Sequence, residues 1–264
     1  MLAIDDPFAS PPPDEVPLPH APLVRVIAQV RFPLIVSVER REFIAPFQEA
    51  IRGAYPVLRQ EQTQALVVTP TGPAPIGPQA TWRFADLDEK WRVSLTPGFL
   101  ALEATAYTSR TDFLRRLDDV VRTLDQHVAP KLVDRLGIRF IDRVAGPAVD
   151  DIANLVRPEV RGIVGALASG RMQHTITETI LTPEGARLLA RWGILPPNQT
   201  IDPSGIEPLP ERTWILDLDM SSVQPFPFSP SRIGADAKHF AEQIYAFFRW
   251  VVTDEFLRHY GGKP

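Results

Sequence analysis

The sequence predicts an α+β fold made of two copies of one β-α-β-meander-α unit, with an antiparallel sheet and two long helices packed on one of its faces. The first observation is a repeated strand pattern. Residues 25–33 read RVIAQVRFP and residues 139–147 read RFIDRVAGP, so Arg, Ile, Val and Pro recur at an offset of 139 − 25 = 114. The second is an apolar helical stripe in 113–124 that recurs in 240–251, 240 − 113 = 127 positions later. The shared order of elements indicates an internal duplication.

Residues 1–22 form an arm with seven prolines among small and acidic residues. Because proline lacks the backbone donor and disfavours helices, we expect no regular structure there. We favour a disordered tail over the alternative, a segment that docks on a partner. After the arm we expect one compact pseudo-twofold unit, with the first α+β repeat over 23–137 and the second over 138–264.

The first repeat begins with a strand in which every second residue from Val24 to Phe32 is apolar, as in a strand with one side facing a core. A helix over 40–55 follows and ends before Pro56, which cannot continue it. A strand over 65–69 and a Pro/Gly loop through Pro78 are predicted next, followed by a meander of strands over 81–84, 91–95 and 99–107. The last predicted element of this repeat is a long helix over 111–136. Thr111 or Asp112 caps this helix, Pro130 kinks it and Gly137 closes it.

The second repeat follows the same order from Ile138 onward. We expect a helix between about 150 and 168, strands over 174–181, 186–192 and 214–220, and a loop of five prolines over 196–212. The last predicted helix covers 236–260 and is closed by Gly261. Its aromatic residues are too many for one buried face, so we expect Tyr245, Trp250 or Tyr260 to form a stripe that faces a partner.

This order of elements resembles the TATA-binding-protein-like and helix-grip arrangements, a likeness that implies no function. Several short patterns also resemble a sporadically distributed, uncharacterised bacterial protein family: Pro22-Leu-Val, the strand end Val30-Arg-Phe, the segment RLGIRFID at 135–142, and His239-Phe and Phe256 in the terminal helix. The members of that family have about 250 residues and no assigned activity, so the resemblance implies no catalytic residues.

Composition excludes several classes of chemistry. The net charge is −4 and the pI about 5.8, which disfavours a nucleic-acid partner, and there is no cysteine for a disulfide, a thiolate nucleophile or a Cys-ligated metal. No apolar run is long enough to span a membrane, and the first residues lack a signal-peptide pattern, so we expect a cytoplasmic protein. Glycine-rich phosphate loops are absent, and we expect no cofactor and no metal site.

A charged sheet face is the first candidate site. If the apolar residues of the strands face the core, alternation places Arg25, Arg31, Arg139, Arg143 and Asp219 on the other side. Guanidinium groups bind carboxylates or phosphates in a bidentate manner, so these five residues are our candidate binding residues. The alternative is an ordinary sheet face on which Arg and Asp pair across strands.

A second candidate combines His174 and Glu178, four residues apart on one strand face, with Asp217 of a neighbouring strand. These residues would supply an acid/base pair in a cleft between the two halves. A strand histidine paired with a nearby carboxylate is the simpler interpretation. The sequence therefore favours a non-enzymatic binding or assembly protein, an accessory or inhibitor-like subunit with a protein partner or a second copy of itself. The alternative is an enzyme of unknown reaction at His174, Glu178 and Asp217.

Overall fold

The fold combines helices with a large antiparallel sheet, which confirms the predicted α+β class. A computed structural model of the protein describes residues 6–8, 12–69, 72–165, 172–183 and 185–264, without the side chains of 62–69, 72–79 and 165. The chain divides into two compact units. Unit 1 comprises Met1–Arg25, Arg139–Ser221 and His239–Pro264, and unit 2 comprises Val26–Ile138 and Ser222–Lys238. The internal duplication and its TATA-binding-protein-like order stay predictions.

The described residues form the following elements. The strands are β1 (Leu23–Arg31), β2 (Val57–Thr69), β3 (Gly72–Ala85), β4 (Trp91–Thr96), β5 (Phe99–Ala104), β6 (Leu132–Val133), β7 (Arg135–Val144), β8 (Thr175–Leu181), β9 (Ala186–Leu195), β10 (Thr213–Ser222) and β11 (Phe226–Pro227). The α-helices are α1 (Arg41–Ile51), α2 (Arg110–His127), α3 (Ile152–Leu155), α4 (Pro158–Arg161), α5 (Pro230–Val251) and α6 (Asp254–His259). Unit 2 contains the strand order β2-β3-β4-β5-β1, and unit 1 contains β7-β10-β9-β8.

The meander β3-β4-β5 of unit 2 confirms the antiparallel strands expected between the two helices. Phe84 lies opposite Val93, and Val93 lies opposite Leu102, and all three side chains are fully buried. Every second residue of β1 from Val26 to Val30 is buried as well, as the alternation predicts. Each such side chain contributes about 1.5–3 kcal/mol by leaving water, so this sheet face is the core of unit 2.

A long hairpin of β2 and β3 replaces the Pro/Gly loop expected through Pro78. Residues 57–69 pair with 72–85, whereas β4 pairs with β3 only over 82–85 in the described residues. The segment that carries Pro73 and Pro75 therefore has β2 on one side and no described strand on the other. Prolines two positions apart in such a strand direct their missing N–H groups to the same, unpaired edge. The proline content thus indicated an edge strand and not a loop.

The first long helix is shorter than predicted because it ends before Pro130. Ser109 caps α2, its hydroxyl accepting a bond from the Asp112 N–H, and the helix ends at His127. Ala129 then takes a left-handed φ of 53°, and its N–H donates to the Leu124 carbonyl. A residue before proline is excluded from the helical region, so the chain leaves the helix and does not kink. The predicted closing residue Gly137 instead lies in β7.

The prediction of one helix over 150–168 is wrong for the described residues of this range. The short helices α3 and α4 lie there, separated by Val156 and Arg157, with Pro158 as the first residue of α4 and 3-10 turns before and after the pair. Residues 166–168 lie outside the described part of the chain. The predicted terminal helix is likewise two helices, because Thr253 takes an extended conformation and caps α6 by accepting from the Phe256 N–H. Gly261 closes α6 at a positive φ of 83°, as predicted.

The two predicted helical stripes are buried. In unit 2, Phe113 and Leu117 of α2 are at most 2% exposed. On α5, Phe240 and Ile244 are at most 4% exposed. The apolar face of each long helix therefore packs into protein, as its 3.6-residue periodicity indicates. Among the described residues, no helix is long and apolar enough to cross a membrane.

Candidate functional site

Arg139 is the centre of an ionic cluster on the sheet face opposite the helix-facing side chains of β7. Its Nε and Nη2 donate to the Asp217 Oδ1 and Oδ2 at 2.7 and 2.9 Å, a bidentate pair between neighbouring strands. Its Nη1 donates to the Asp202 Oδ2 at 2.6 Å. The Arg139 side chain is only 15% exposed. We call Arg139, Arg191, Asp202 and Asp217 the Asp217 cluster.

Arg191 of β9 completes this cluster from the other side of β10. Its Nε and Nη2 donate to the Asp217 Oδ2 at 3.0 and 2.5 Å. The Asp217 side chain is fully buried, and both of its oxygens accept from guanidinium groups. A buried carboxylate needs such complete pairing, because its desolvation costs several kcal/mol. The arrangement holds three strands in register by their charged side chains.

The pKa values in the cluster follow from its pairing. Burial alone would lower the pKa of Arg139, but hydrogen bonds and charge from Asp217, and then from Asp202, raise it above its ordinary value. Burial would raise the pKa of Asp202, but hydrogen bonds from Ser204 and Arg139 hold it down at about 2. Arg139 and Asp202 are therefore ionised throughout the range in which the protein is expected to work, and they serve as fixed charges.

The loop 196–212 covers this face in unit 1. Arg25 Nη1 donates to the Ser204 carbonyl at 2.8 Å, and Arg143 Nη1 donates to the Glu207 carbonyl at 2.5 Å. Beneath the loop, Ile206 packs in a small buried cluster with Ile141, Leu195 and Ile215. Arginine and apolar contacts together hold the proline-rich segment on the sheet, and these arginines contact their own chain.

The other two predicted binding residues, Asp219 and Arg31, are not among the four residues of that cluster. Asp219 is partly exposed on β10, and Arg31 is exposed on β1 within unit 2. On the same unit, Arg83 pairs with Glu61 at 2.8 Å and Arg92 pairs with Glu103 at 2.6 Å. Such cross-strand pairs are what an ordinary charged sheet face forms. Of the five predicted binding residues, the structure joins Arg25, Arg139 and Arg143 through the loop 196–212.

In the described part of the chain, no hydrogen bond or ion pair links His174 or Glu178 to Asp217, so their acid/base arrangement stays a prediction. His174 is exposed just before β8, and Glu178 is exposed on that strand, opposite Arg191 in the register. The Asp217 carboxylate is held by Arg139 and Arg191. Within the described part of the chain, no group of three or more His, Asp or Glu side chains is placed to hold a metal ion.

A cleft along α5 is the feature that the sequence did not predict as a site. It has a volume of about 790 Å³, within the range of ligand pockets. One wall is a stripe on α5, formed by His239, Gln243, Phe247 and Trp250. The other walls are residues 6–8 of the arm and residues 181–183 at the end of β8. All of these belong to unit 1, and we call the space the α5 cleft.

Two wall residues of the α5 cleft carry buried polar atoms beside its aromatic surface. Phe8 of the arm stacks on Phe247 with ring centroids 6.0 Å apart and planes 12° apart, and Phe247 contacts the Trp250 ring at 5.5 Å. In the part of the chain that the structure describes, the Gln243 Oε1 and the Trp250 Nε1 are buried without a hydrogen-bond partner. A buried polar atom left unpaired costs about 1–3 kcal/mol, so natural structures seldom retain one without a reason.

The described part of the arm lies on α5 and α6 of its own chain. The Tyr245 hydroxyl accepts from the Val16 N–H at 2.8 Å and donates to the Asp14 carbonyl at 3.2 Å. Further along, the His20 N–H donates to the Tyr260 carbonyl at 3.3 Å. Residues 14–20 are therefore a docked segment and not a free tail, while residues 1–5 and 9–11 lie outside the described part. The aromatic excess on the terminal helix was the signal, because the Tyr245 hydroxyl binds the arm and Trp250 lines the cleft, whereas Tyr260 contributes its backbone carbonyl.

Asp142 is a buried carboxyl on the opposite side of β7 from Arg139. It is 6% exposed, and burial raises its pKa to about 7. Burial, and then the charge of Asp142, raise the pKa of Tyr260 to about 12. Both groups belong to unit 1, and the charge of Asp142 disfavours the ionised form of Tyr260.

Comparison with known proteins adds no relative. No protein-family model matches the chain, and no curated protein is significantly similar to it.

Proposed function

We propose that the chain is a non-enzymatic binding protein, an accessory or inhibitor-like subunit of a larger assembly, and that the α5 cleft is its binding surface. The observation that carries this proposal is an aromatic-lined space of about 790 Å³ with unpaired polar atoms on two of its wall residues, Gln243 and Trp250. Binding sites in proteins combine largely apolar walls with a few polar groups that orient the ligand.

The Asp217 cluster supports a scaffold role for the charged face. Its two arginines and two carboxylates are directed at one another, and Arg25 and Arg143 are engaged with the loop 196–212. Charges that are already paired and partly buried have less to offer a partner than free ones. The cleft, by contrast, contains wall groups whose hydrogen bonding is incomplete.

Partner capture with matched variants tests this proposal. Gln243→Arg places a long charged side chain on the cleft wall, and Gln126→Arg makes the same change at an exposed position of α2. Tagged wild-type protein and both variants are used to capture partners from extracts of the source cells, and each captured protein is then purified and recombined with them. We expect a complex that forms with wild type and Gln126→Arg and is lost with Gln243→Arg.

Two results would contradict the proposal. One is a complex that survives Gln243→Arg with unchanged affinity, because the cleft would then not be the binding surface. The other is a protein that forms no complex under any of these conditions but turns over a metabolite. The activity would in that case be measured again with His174→Ala and Glu178→Ala.

A further inference from the structure

We propose that the stripe of α5 that lines the cleft binds a partner peptide segment of the type Asp-Pro-aromatic, and that this segment takes the place of residues 6–8, which pack on the stripe until a partner displaces them. This inference rests on the proposed function, because it names the chemistry of the occupant of the same cleft. Residues 6–8 read Asp-Pro-Phe and form one wall of the cleft, with Phe8 stacked on Phe247.

The conformation of this segment defines what the cleft recognises. The Phe8 N–H donates to the Asp6 Oδ1 at 2.9 Å, which closes a turn around Pro7. Asp before proline is a common turn former, because its carboxylate bonds to the backbone two residues on and proline fixes φ. The turn presents one aromatic ring to Phe247 with planes 12° apart. An Asp-Pro-aromatic turn from another protein presents the same ring at little cost in conformational entropy.

Two residues of the α5 stripe carry polar atoms of the types that a peptide backbone complements. Gln243 Oε1 can accept a hydrogen bond from a backbone N–H, and Trp250 Nε1 can donate one to a backbone carbonyl. The two residues are seven apart on α5 and share one face, so they are separated by about 10 Å along the helix axis. About three residues of extended chain cover that distance, which fits a peptide continuing beyond the turn.

The anchoring of the arm allows residues 6–8 to leave while the rest stays bound. The backbone of residues 14–20 is held by hydrogen bonds with the Tyr245 hydroxyl and the Tyr260 carbonyl. Residues 6–8 contact α5 through the Phe8–Phe247 stack and the packing of the cleft wall. An aromatic pair contributes only about 0.5–1.5 kcal/mol beyond its buried area, so local release is accessible without unfolding.

A labelled peptide tests the proposal on the full-length chain. The probe is a fluorescein-labelled peptide with the sequence of residues 4–10, Ile-Asp-Asp-Pro-Phe-Ala-Ser. Its binding is followed by fluorescence anisotropy with wild-type protein, Phe8→Ala, and Leu87→Ala as a matched apolar truncation at an 82% exposed position. A resident segment has an effective concentration on the order of 1 mM, so with a peptide Kd on the order of 0.1 mM its removal strengthens apparent binding about tenfold.

The expected result is about tenfold tighter binding to Phe8→Ala than to wild type and Leu87→Ala. Binding should be lost when the peptide carries Ala in place of Phe, or when the protein carries Gln243→Arg in addition to Phe8→Ala. Equal affinity for wild type and Phe8→Ala overturns the claim that residues 6–8 compete. No peptide binding to Phe8→Ala overturns the inference as a whole. The proposed function survives that failure if partner capture still depends on Gln243, and falls if capture is insensitive to Gln243→Arg.

Discussion

The buried carboxylate of Asp217 binds two arginines, Arg139 and Arg191, and these bonds determine what the two side chains do in the fold. The predicted binding residue Arg139 shares this carboxylate with Arg191 and reaches Asp202 with its remaining nitrogen. Sequence alternation correctly placed Arg139 and Asp217 on the same side of the sheet. Alternation does not show whether such a side is open, and the loop 196–212 covers it in unit 1.

Removal of Arg139 should therefore destabilise the fold. We expect Arg139→Ala to lower the free energy of unfolding by about 3–5 kcal/mol, because it leaves Asp202 and the buried Asp217 with an incomplete set of partners. Arg31→Ala, at an exposed position of β1, should change it by less than about 0.5 kcal/mol. Urea denaturation followed by circular dichroism measures both. Equal, small effects of the two substitutions would show that the cluster contributes little to stability.

Asp142 should make stability depend on pH in the opposite sense to a salt-bridged carboxylate. Burial raises its pKa in the folded state from 3.8 to about 7, so the folded protein holds this proton more tightly than the unfolded chain. The resulting stability is fully present below about pH 4 and is lost as the pH rises through about 7. Across that window the slope approaches about 1.4 kcal/mol per pH unit.

Asp142→Asn should flatten this part of the profile and make the protein more stable than wild type at pH 8. The measurement is a series of urea melts between pH 4 and pH 8, with Asp125→Asn, at an exposed position of α2, as the control. Because other groups titrate in the same range, the difference between each variant and wild type is the quantity compared. Identical profiles for Asp142→Asn and wild type would contradict the assignment.

At the scale of elements, the close approach of β8 and β9 depends on a single glycine. Gly193 has φ of 148°, and a Cβ on it would lie 1.9 Å from the Thr175 carbonyl oxygen of the paired strand. Any side chain there must push the backbone of β8 away from β9, across the Ile176–Gly193 pair. The sequence showed a glycine in a strand pattern without showing what approaches it.

Gly193→Ala should therefore lower the free energy of unfolding by more than about 1 kcal/mol, since the native backbone conformation is incompatible with alanine. Gly53→Ala is the matched control. Apart from its two chain neighbours, no atom of the described residues lies within 4 Å of the corresponding Cβ position, so its effect should be neutral or slightly stabilising. Thermal or urea melts compare the two, and amide hydrogen exchange in β8 should rise in Gly193→Ala alone. Unchanged exchange in β8 would contradict the proposed clash.

At the scale of the whole molecule, the spacing of apolar side chains correctly predicted the strands and helices whose structure depends on nearby residues. The period-2 burial of β1, the meander of β3-β4-β5 and the apolar stripes of α2 and α5 all follow from side-chain spacing. The predictions were wrong at prolines that are compatible with two different local structures. Pro130 ended a helix that was expected to bend, and Pro73 and Pro75 lie in a strand that was expected to be a loop.

The candidate site could not be predicted because its parts are distant in the sequence. The α5 cleft takes its walls from residues 6–8, 181–183 and 239–250, and none of these segments carries a motif for the others. Likewise, Arg139 finds Asp202 within a loop that has no regular periodicity. In the sequence, only the number of aromatic residues on the terminal helix indicated this region. That helix carries more aromatic rings than one buried face requires.

The docked arm also constrains the order in which the protein can fold during its synthesis. Val16 binds the hydroxyl of Tyr245, 229 positions later in the chain, and Asp14 binds it across 231 positions. The ribosome therefore releases the arm long before its binding surface on α5 exists. At about 5–20 residues per second, the proline-rich segment waits at least ten seconds without its partner. Its seven prolines disfavour helix and strand formation throughout that interval, which gives a kinetic role to a composition that looks like disorder.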